Sequence, residues 1–195
     1  MRNRRLEFFI NLDKQDRETR FALFLRYRLV PVTAGVKPAE LVTFCPGRYE
    51  LFTSWKQWGS REISLMGLEV EILRERENCC CAFIYNREEL KHRLSNHDEA
   101  TLLSDYGYPE CTDLQHLTIE NHIAHLRSRF IHSCPHEIGL FLGIPPHDVC
   151  GFITNEGSHF LLQGYWKVYA EPDQAIKTFN TYDEVKDTFI RELVL

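Results

Sequence analysis

The sequence has no long hydrophobic run, since no apolar stretch approaches the roughly 20 residues that a membrane-spanning helix needs. Residues 1–12 start with a group of arginines, as a signal peptide does. They lack the apolar segment of about 7–15 residues that a signal peptide also has, because polar residues end the short apolar run. Internal repeats, low-complexity tracts and linkers are missing as well. These absences argue against a membrane protein or an exported one, and they predict a cytoplasmic location.

A secretory disulfide framework is also not indicated. The chain has seven cysteines, an odd number, and reduced thiols are the expectation for a protein without a secretory signal. Cys79, Cys80 and Cys81 are consecutive, and neighbouring residues of a strand point to opposite faces of the sheet. This triplet therefore predicts small core-filling residues rather than metal ligands.

The composition is that of a folded globular protein. The 195 residues are 44% hydrophobic and 12% aromatic, which predicts one domain, 1–195, with a sizeable core. The pattern predicts an α+β fold in which a small sheet of about four strands packs with several helices. The expected strands are 41–44, 68–73, 79–85 and 160–169. The expected helices include 17–28 ended by Pro31, one capped by Asn86, 112–130, two within 137–153, and 172–195.

Residues 134–153 carry the densest chemistry in the chain. Pro135 is typical of the first helical position, which makes Cys134 the predicted N-cap and places Glu137 where it can reach back to that cap. The positive end of a helix favours a thiolate, and His136 is a candidate proton shuttle, although the Glu137 carboxylate opposes a second anion. The candidate catalytic residues are thus Cys134, His136 and Glu137. The structural alternative is a partly buried thiol that only caps a helix.

Histidines allow a second interpretation of the same region. Eight of the nine lie between positions 92 and 147, and His122 and His125 share one helical face. With His132, Cys134, His136 and Glu137 they could form a zinc or iron site. None of the spacings matches a strong metal signature, so the metal and any cofactor stay unknown.

Residues 137–153 also resemble a bacterial helix-turn-helix, with a glycine in the turn. DNA readers need lysine or arginine, and residues 138–160 contain neither. A basic arm is available at 1–37, which carries nine Lys or Arg and four Asp or Glu. Nucleic-acid binding is therefore disfavoured and kept as an alternative.

A third set of candidates comes from residues 164–169. Tyr165, Lys167 and Tyr169 are expected on one face of a strand. Trp166 is expected on the other face, towards the core. A cation between phenols suits an anionic or aromatic ligand, and Lys37, in a loop with Gly and Pro, is a further anion contact. Lys37, Tyr165 and Lys167 are thus the candidate ligand-binding residues. The alternative is an edge strand whose lysine protects it from aggregation.

Four segments resemble DUF3793, a bacterial family of unknown function. They are residues 31–41, 107–109, 134–153 and 164–169, and they include Cys-Pro-His-Glu-Ile-Gly and Gly-Tyr-Trp-Lys-Val-Tyr. The family typically has Tyr where this chain has Ile144. The resemblance implies an intracellular protein and hints at redox or metal physiology. It supplies no established activity, so no catalytic residue is carried over.

The sequence therefore predicts a cytoplasmic ligand-binding or redox-associated protein with a thiol and anion site near Cys134. Two alternatives stay open: a non-catalytic interaction module, with DNA binding as one form of it, and a purely structural role for residues 134–153. The sequence leaves open whether the protein is an enzyme, which ligand it takes, which oligomer it forms and whether Lys37, Cys134 and Lys167 converge in space.

Overall fold

The structure is a computed structural model that describes residues 2–109, 118–131 and 133–193. Its helices are α1 (Arg2–Leu12), α2 (Arg17–Thr33), α3 (Leu51–Leu65), α4 (Arg87–Leu94), α5 (His97–Ser104), α6 (Ile119–Arg129), α7 (Ile138–Phe141), α8 (Pro146–Thr154) and α9 (Pro172–Glu192). A 3-10 turn, Arg48–Glu50, precedes α3. Its strands are β1 (Ala39–Phe44), β2 (Glu69–Arg76), β3 (Cys79–Tyr85), β4 (Leu162–Gln163) and β5 (Lys167–Val168). Within the described ranges, none of the helices is long and apolar enough to cross a bilayer.

The predicted α+β architecture is confirmed. One antiparallel sheet has the order β1-β3-β2, and β4 and β5 form a second, two-stranded sheet. The predicted β2–β3 hairpin is present, and Tyr85 of the central strand lies opposite Ala39 on one side and Glu69 on the other. The first sheet is therefore the frame on which the helices pack.

The central strand β3 is buried on both faces. Cys81, Phe83 and Tyr85 face a core formed with α4 to α8, whereas Cys80 and Ala82 face a core formed with α2 and α3. Because successive side chains of a strand alternate, one run of apolar residues fills both cores. The predicted core-filling role is thus confirmed for Cys80 and Cys81.

The expectation of reduced thiols is wrong for Cys45 and Cys79, which form a disulfide. In the β1–β3 register Phe44 lies opposite Cys80, so the next residues along, Cys45 and Cys79, also face each other. Their Cα atoms are 4.4 Å apart, which is close enough for a bridge. The sequence predicted both strands but not their pairing, and the pairing is what brings the two thiols together.

Of two helix boundaries predicted by local rules, one is confirmed and the other is changed by tertiary packing. Asn86 caps α4 as predicted, because its side chain accepts hydrogen bonds from the backbone N–H groups of Glu88 and Glu89. By contrast, α2 does not end before Pro31 but continues to Thr33. Pro31 and Val32 are buried there, so tertiary packing outweighs the hydrogen bond that proline cannot donate.

The predicted strand 160–169 is replaced by a small hairpin. Its two short strands, β4 and β5, are joined by a turn in which the N–H of Gly164 donates to the carbonyl of Trp166. The hairpin packs on α9, where Val168 contacts Ala175 and Phe179. A Cβ at Gly164 would lie 2.2 Å from Cε2 of Phe179, so this close approach requires glycine.

Candidate ligand-binding cavity

A cavity of about 420 Å³ lies between the turn before α7, helix α8 and the β4–β5 hairpin. This volume falls in the range of roughly 300–1,000 Å³ that is usual for small-molecule sites. Much of its wall is apolar, formed by Pro135, Ile138, Leu142, Ile144, Val149 and Phe152. The cavity therefore suits a ligand that is itself largely apolar.

Four of the six predicted site residues line this cavity. Cys134 and His136 lie on the side of α7, and Tyr165 and Lys167 lie on the hairpin side. Trp166, which the sequence placed in the core, lines the cavity with them. The structure thus brings together two of the predicted catalytic residues and two of the predicted ligand-binding residues.

Lys167 is the only lysine or arginine among the cavity-lining residues that the structure describes. Its Nζ donates a hydrogen bond of 2.7 Å to the carbonyl of Gly157. The same nitrogen lies 5.8 Å from the ring centre of Phe152 and 5.1 Å from that of Phe160. An ammonium group has three donors, so this one is held in place and still has N–H groups to offer an anion.

Asp148, at the start of α8, fixes the hairpin. Its side chain is buried, and it accepts hydrogen bonds from Trp166 Nε1 at 2.7 Å and from the backbone N–H groups of Tyr169 at 2.6 Å and Ala170 at 3.1 Å. These three donors occupy both carboxylate oxygens and offset the cost of burying them. The Asp148 carboxylate therefore holds the hairpin and the residues after it against α8.

The prediction that Cys134 caps a helix is wrong. Helix α7 begins at Ile138, four residues later, and its N-cap is Glu137, whose side chain makes no capping hydrogen bond to the helix. Burial, together with the neighbouring Cys81 thiol, raises the pKa of Cys134 above its ordinary value. This environment favours the neutral thiol at neutral pH, which weakens the case for an activated thiolate.

Glu137 does not reach the cavity. Its side chain is buried, where it pairs with Arg129 and accepts a hydrogen bond of 3.3 Å from the hydroxyl of Tyr108. Burial of the phenol and the nearby Glu137 charge raise the pKa of Tyr108. This carboxylate is engaged in an ion pair, and it lines a neighbouring cavity of about 450 Å³ together with Cys134 and His136.

Lys37 also lies outside the cavity. Its Nζ pairs with Glu40, which accepts a second hydrogen bond from Arg28 at 2.6 Å. The lysine also lies 5.9 Å from the ring centre of Tyr182. The structure therefore separates Lys37 from Cys134 and Lys167 and gives it a place in a charge cluster beside α9.

The histidine pair makes backbone contacts. His122 is buried, with Nδ1 bonded to the carbonyl of Thr118, and His125 Nε2 is bonded to the carbonyl of Tyr106. Burial lowers the pKa of His122. Among the described residues no group of three His, Cys, Asp or Glu side chains could hold a metal ion, and His132 lies outside the described residues.

The helix-turn-helix-like segment folds into the short α7 and the longer α8. Asp148 and Val149, near the start of α8, are buried against the cavity and the hairpin. The expectation that nucleic acid is not a partner stays a prediction.

Lys186, a polar residue near the cavity, was not singled out from the sequence. The hydroxyl of Tyr165 donates to Asp183 at 2.8 Å and accepts a hydrogen bond from Lys186 Nζ at 3.1 Å. Lys186 is half-buried on α9, where the 3.6-residue pattern predicts only an ordinary helix face. Its partners come from other elements, so no local sequence signal could have found it.

The comparisons with known proteins agree with the sequence resemblance. A family model described as "Protein of unknown function (DUF3793)" matches residues 25–194. The chain belongs to this family. The DUF3793 match includes the cavity and α9, whereas α1 precedes it. Neither the curated proteins nor the solved structures gave a match to this DUF3793 chain.

Proposed function

We propose that this protein binds a small aromatic anion, without covalent chemistry, in the cavity between α7, α8 and the β4–β5 hairpin. The observation that carries the proposal is the position of Lys167, a cation held at an otherwise largely apolar wall. A ligand that buries an apolar body and presents one negative charge would match both features.

Aromatic character is supported by the rings around the site. Phe152 and Trp166 line the cavity, and the imidazole of His136 lies 5.1 Å from the ring centre of Phe152. Aromatic side chains recognise planar ligands by stacking and by edge-to-face contact. His136 adds a polar group at the same wall, one that can donate or accept a hydrogen bond.

Anionic character is supported by the hydrogen-bonding capacity of the two charged side chains in the wall. The other charged side chain in the wall, Asp148, accepts from three neutral N–H donors, which occupy both of its carboxylate oxygens and leave them little capacity to bind a ligand. Lys167 makes one hydrogen bond, to a neutral carbonyl. The charged group with N–H donors left for a ligand is therefore the Lys167 ammonium, and it favours a carboxylate, sulfonate or phosphate on the ligand.

A matched pair of fluorescent probes tests this proposal. Anilinonaphthalene sulfonate carries a negative charge, whereas phenylnaphthylamine has the same ring system without it. We expect the wild type to bind the sulfonate more tightly, and Lys167→Met to reduce sulfonate affinity about tenfold while leaving the neutral probe nearly unchanged. Lys177→Met, which removes an exposed lysine of α9, is the control and should change neither affinity.

The proposal is wrong if the sulfonate does not bind, or if Lys167→Met and Lys177→Met bind it as the wild type does. An equal loss of both probes in Lys167→Met would indicate a structural role for the lysine instead of recognition of the anion.

A further inference from the structure

We infer that Gly157, in the loop after α8, is a positioning residue for Lys167, and that it determines the selectivity of the cavity for anionic over neutral aromatic ligands. This inference rests on the proposed function, because Lys167 is the group that would bind the anion.

Gly157 accepts the hydrogen bond that fixes the Lys167 ammonium. The glycine is buried, although the residues on either side of it are exposed, and its carbonyl accepts from Lys167 Nζ at 2.7 Å. A lysine side chain is long and flexible, and a ligand that has to immobilise it loses affinity for that reason. The glycine carbonyl therefore orders the ammonium before a ligand arrives.

The backbone that presents this carbonyl is left-handed at successive residues. The N–H of Glu156 donates to the carbonyl of Ile153 at 3.3 Å. The N–H of Gly157 donates to the carbonyl of Phe152 at 2.9 Å, which completes the pattern of a Schellman motif at the end of α8. Glycine is usual at the left-handed position that Glu156 occupies here with a φ of 49°, and Gly157 follows with a φ of 73°. A glycine that only ended the helix would lie one position earlier.

Gly157 lies instead where space for a side chain is lacking. A Cβ at this position would lie 3.1 Å from Cε2 of Phe152 and 3.4 Å from Lys167 Nζ. Both of these neighbours line the cavity. An alanine could keep the left-handed backbone only by pushing on both groups, and it could adopt an ordinary φ only by rearranging the loop that carries the carbonyl. Either response displaces the ammonium from its place in the wall.

Two aromatic rings complete the surroundings of the ammonium. The rings of Phe152, before the turn, and Phe160, after it, lie with their centres 5.8 Å and 5.1 Å from Lys167 Nζ. The carbonyl and both rings are uncharged groups, so they hold the ammonium without neutralising it. Residues 152–160 thus fix the position of a charge that stays available to an anionic ligand.

The two fluorescent probes test this role with a matched pair of alanine variants. Gly157→Ala should lower the affinity for anilinonaphthalene sulfonate about fivefold and leave that for phenylnaphthylamine within about twofold. Gly67→Ala is the control, because Gly67 is also left-handed, with a φ of 65°, but no described atom lies within 4 Å of its added Cβ. This control carries similar backbone strain and should change neither affinity. An equal loss of both probes in Gly157→Ala, or no loss of the sulfonate, would overturn the inference.

A double-mutant cycle shows whether Gly157 acts through the lysine. On the Lys167→Met background, Gly157→Ala should cause no further loss of sulfonate affinity. A further loss as large as that in the wild type would mean that the glycine shapes the cavity independently of the ammonium, and it would contradict the positioning role.

Nuclear Overhauser contacts provide a readout that needs no ligand. The ε-methylene protons of Lys167 should show contacts to the ring protons of Phe152 and Phe160 in the wild type and in Gly67→Ala, and these should weaken in Gly157→Ala. Absence of the contacts in the wild type, or their full retention in Gly157→Ala, would refute the positioning role even if the sulfonate binds. Contacts that weaken in Gly157→Ala, in a protein that binds neither probe, would refute the proposed ligand site and leave the positioning of Lys167 standing.

Discussion

The β4–β5 hairpin is attached to the rest of the molecule at two places of opposite character. At one, Asp148 is buried and accepts from Trp166 and two backbone N–H groups. At the other, Tyr165 is 42% exposed and is held by Lys186 and Asp183. The first attachment is shielded from solvent, whereas the second contains a lysine whose pKa is lowered to about 8. The same hairpin therefore combines one attachment that is buried with one that is partly exposed to solvent.

The two attachments should therefore contribute differently to the free energy of unfolding. A buried carboxylate with three donors is expensive to remove, because its partners would be left unpaired in a shielded environment. A partly exposed hydroxyl can exchange its partner for water at little cost. Variants at the two attachments should accordingly differ in how far they lower the free energy of unfolding.

The largest expected effect is at the buried attachment. Asp148→Ala leaves the Trp166 Nε1–H and two backbone N–H groups without their acceptor, and we expect a loss of about 3 kcal/mol in the free energy of unfolding. Urea denaturation followed by circular dichroism measures it. Glu184→Ala, at an exposed site of α9, is the control and should stay within about 0.5 kcal/mol. A small effect of Asp148→Ala would remove the distinction between the two attachments.

A smaller effect is expected from the titration of Lys186. Its pKa in the folded protein is about 8, below the ordinary 10.5. Between these values the unfolded chain binds more protons than the folded one, so stability rises with pH. We expect the wild type to gain about 1 kcal/mol over Lys186→Met between pH 8 and pH 9.5, after allowance for solvent screening. A stability difference between the two proteins that does not change with pH would contradict the lowered pKa.

The elements that the sequence predicted well are local ones. The β2–β3 hairpin connects neighbouring runs of residues, and the cap of α4 depends on Asn86 and the two residues after Arg87. The register of β1 against β3 depends instead on residues far apart in the chain. For that reason the Cys45–Cys79 disulfide was missed although both strands were predicted.

In the candidate site, too, local features were predicted and contacts between distant segments were not. Cys134, His136, Tyr165 and Lys167 were predicted from short segments, and the fold brings them to one cavity. The predicted helix cap at Cys134 is wrong because Glu137, its expected partner, pairs with Arg129 of α6. Competition of this kind comes from tertiary contacts, which a pattern along twenty residues does not contain. Lys37 was predicted as an anion contact but pairs with Glu40, three residues along the chain. Lys186 was missed because its hydrogen-bond partner, Tyr165, comes from the hairpin.

The most direct test of the ligand-binding cavity uses the three tryptophans of the chain. Trp166 lines the cavity, whereas Trp55 and Trp58 belong to the core formed with α2 and α3. In nitrogen–proton correlation spectra, each indole N–H gives its own resonance, so two of the three are internal controls. Titration with anilinonaphthalene sulfonate should shift the Trp166 resonance and leave those of Trp55 and Trp58 in place. Shifts at Trp55 or Trp58 without one at Trp166, or no shift at all, would contradict the proposed site.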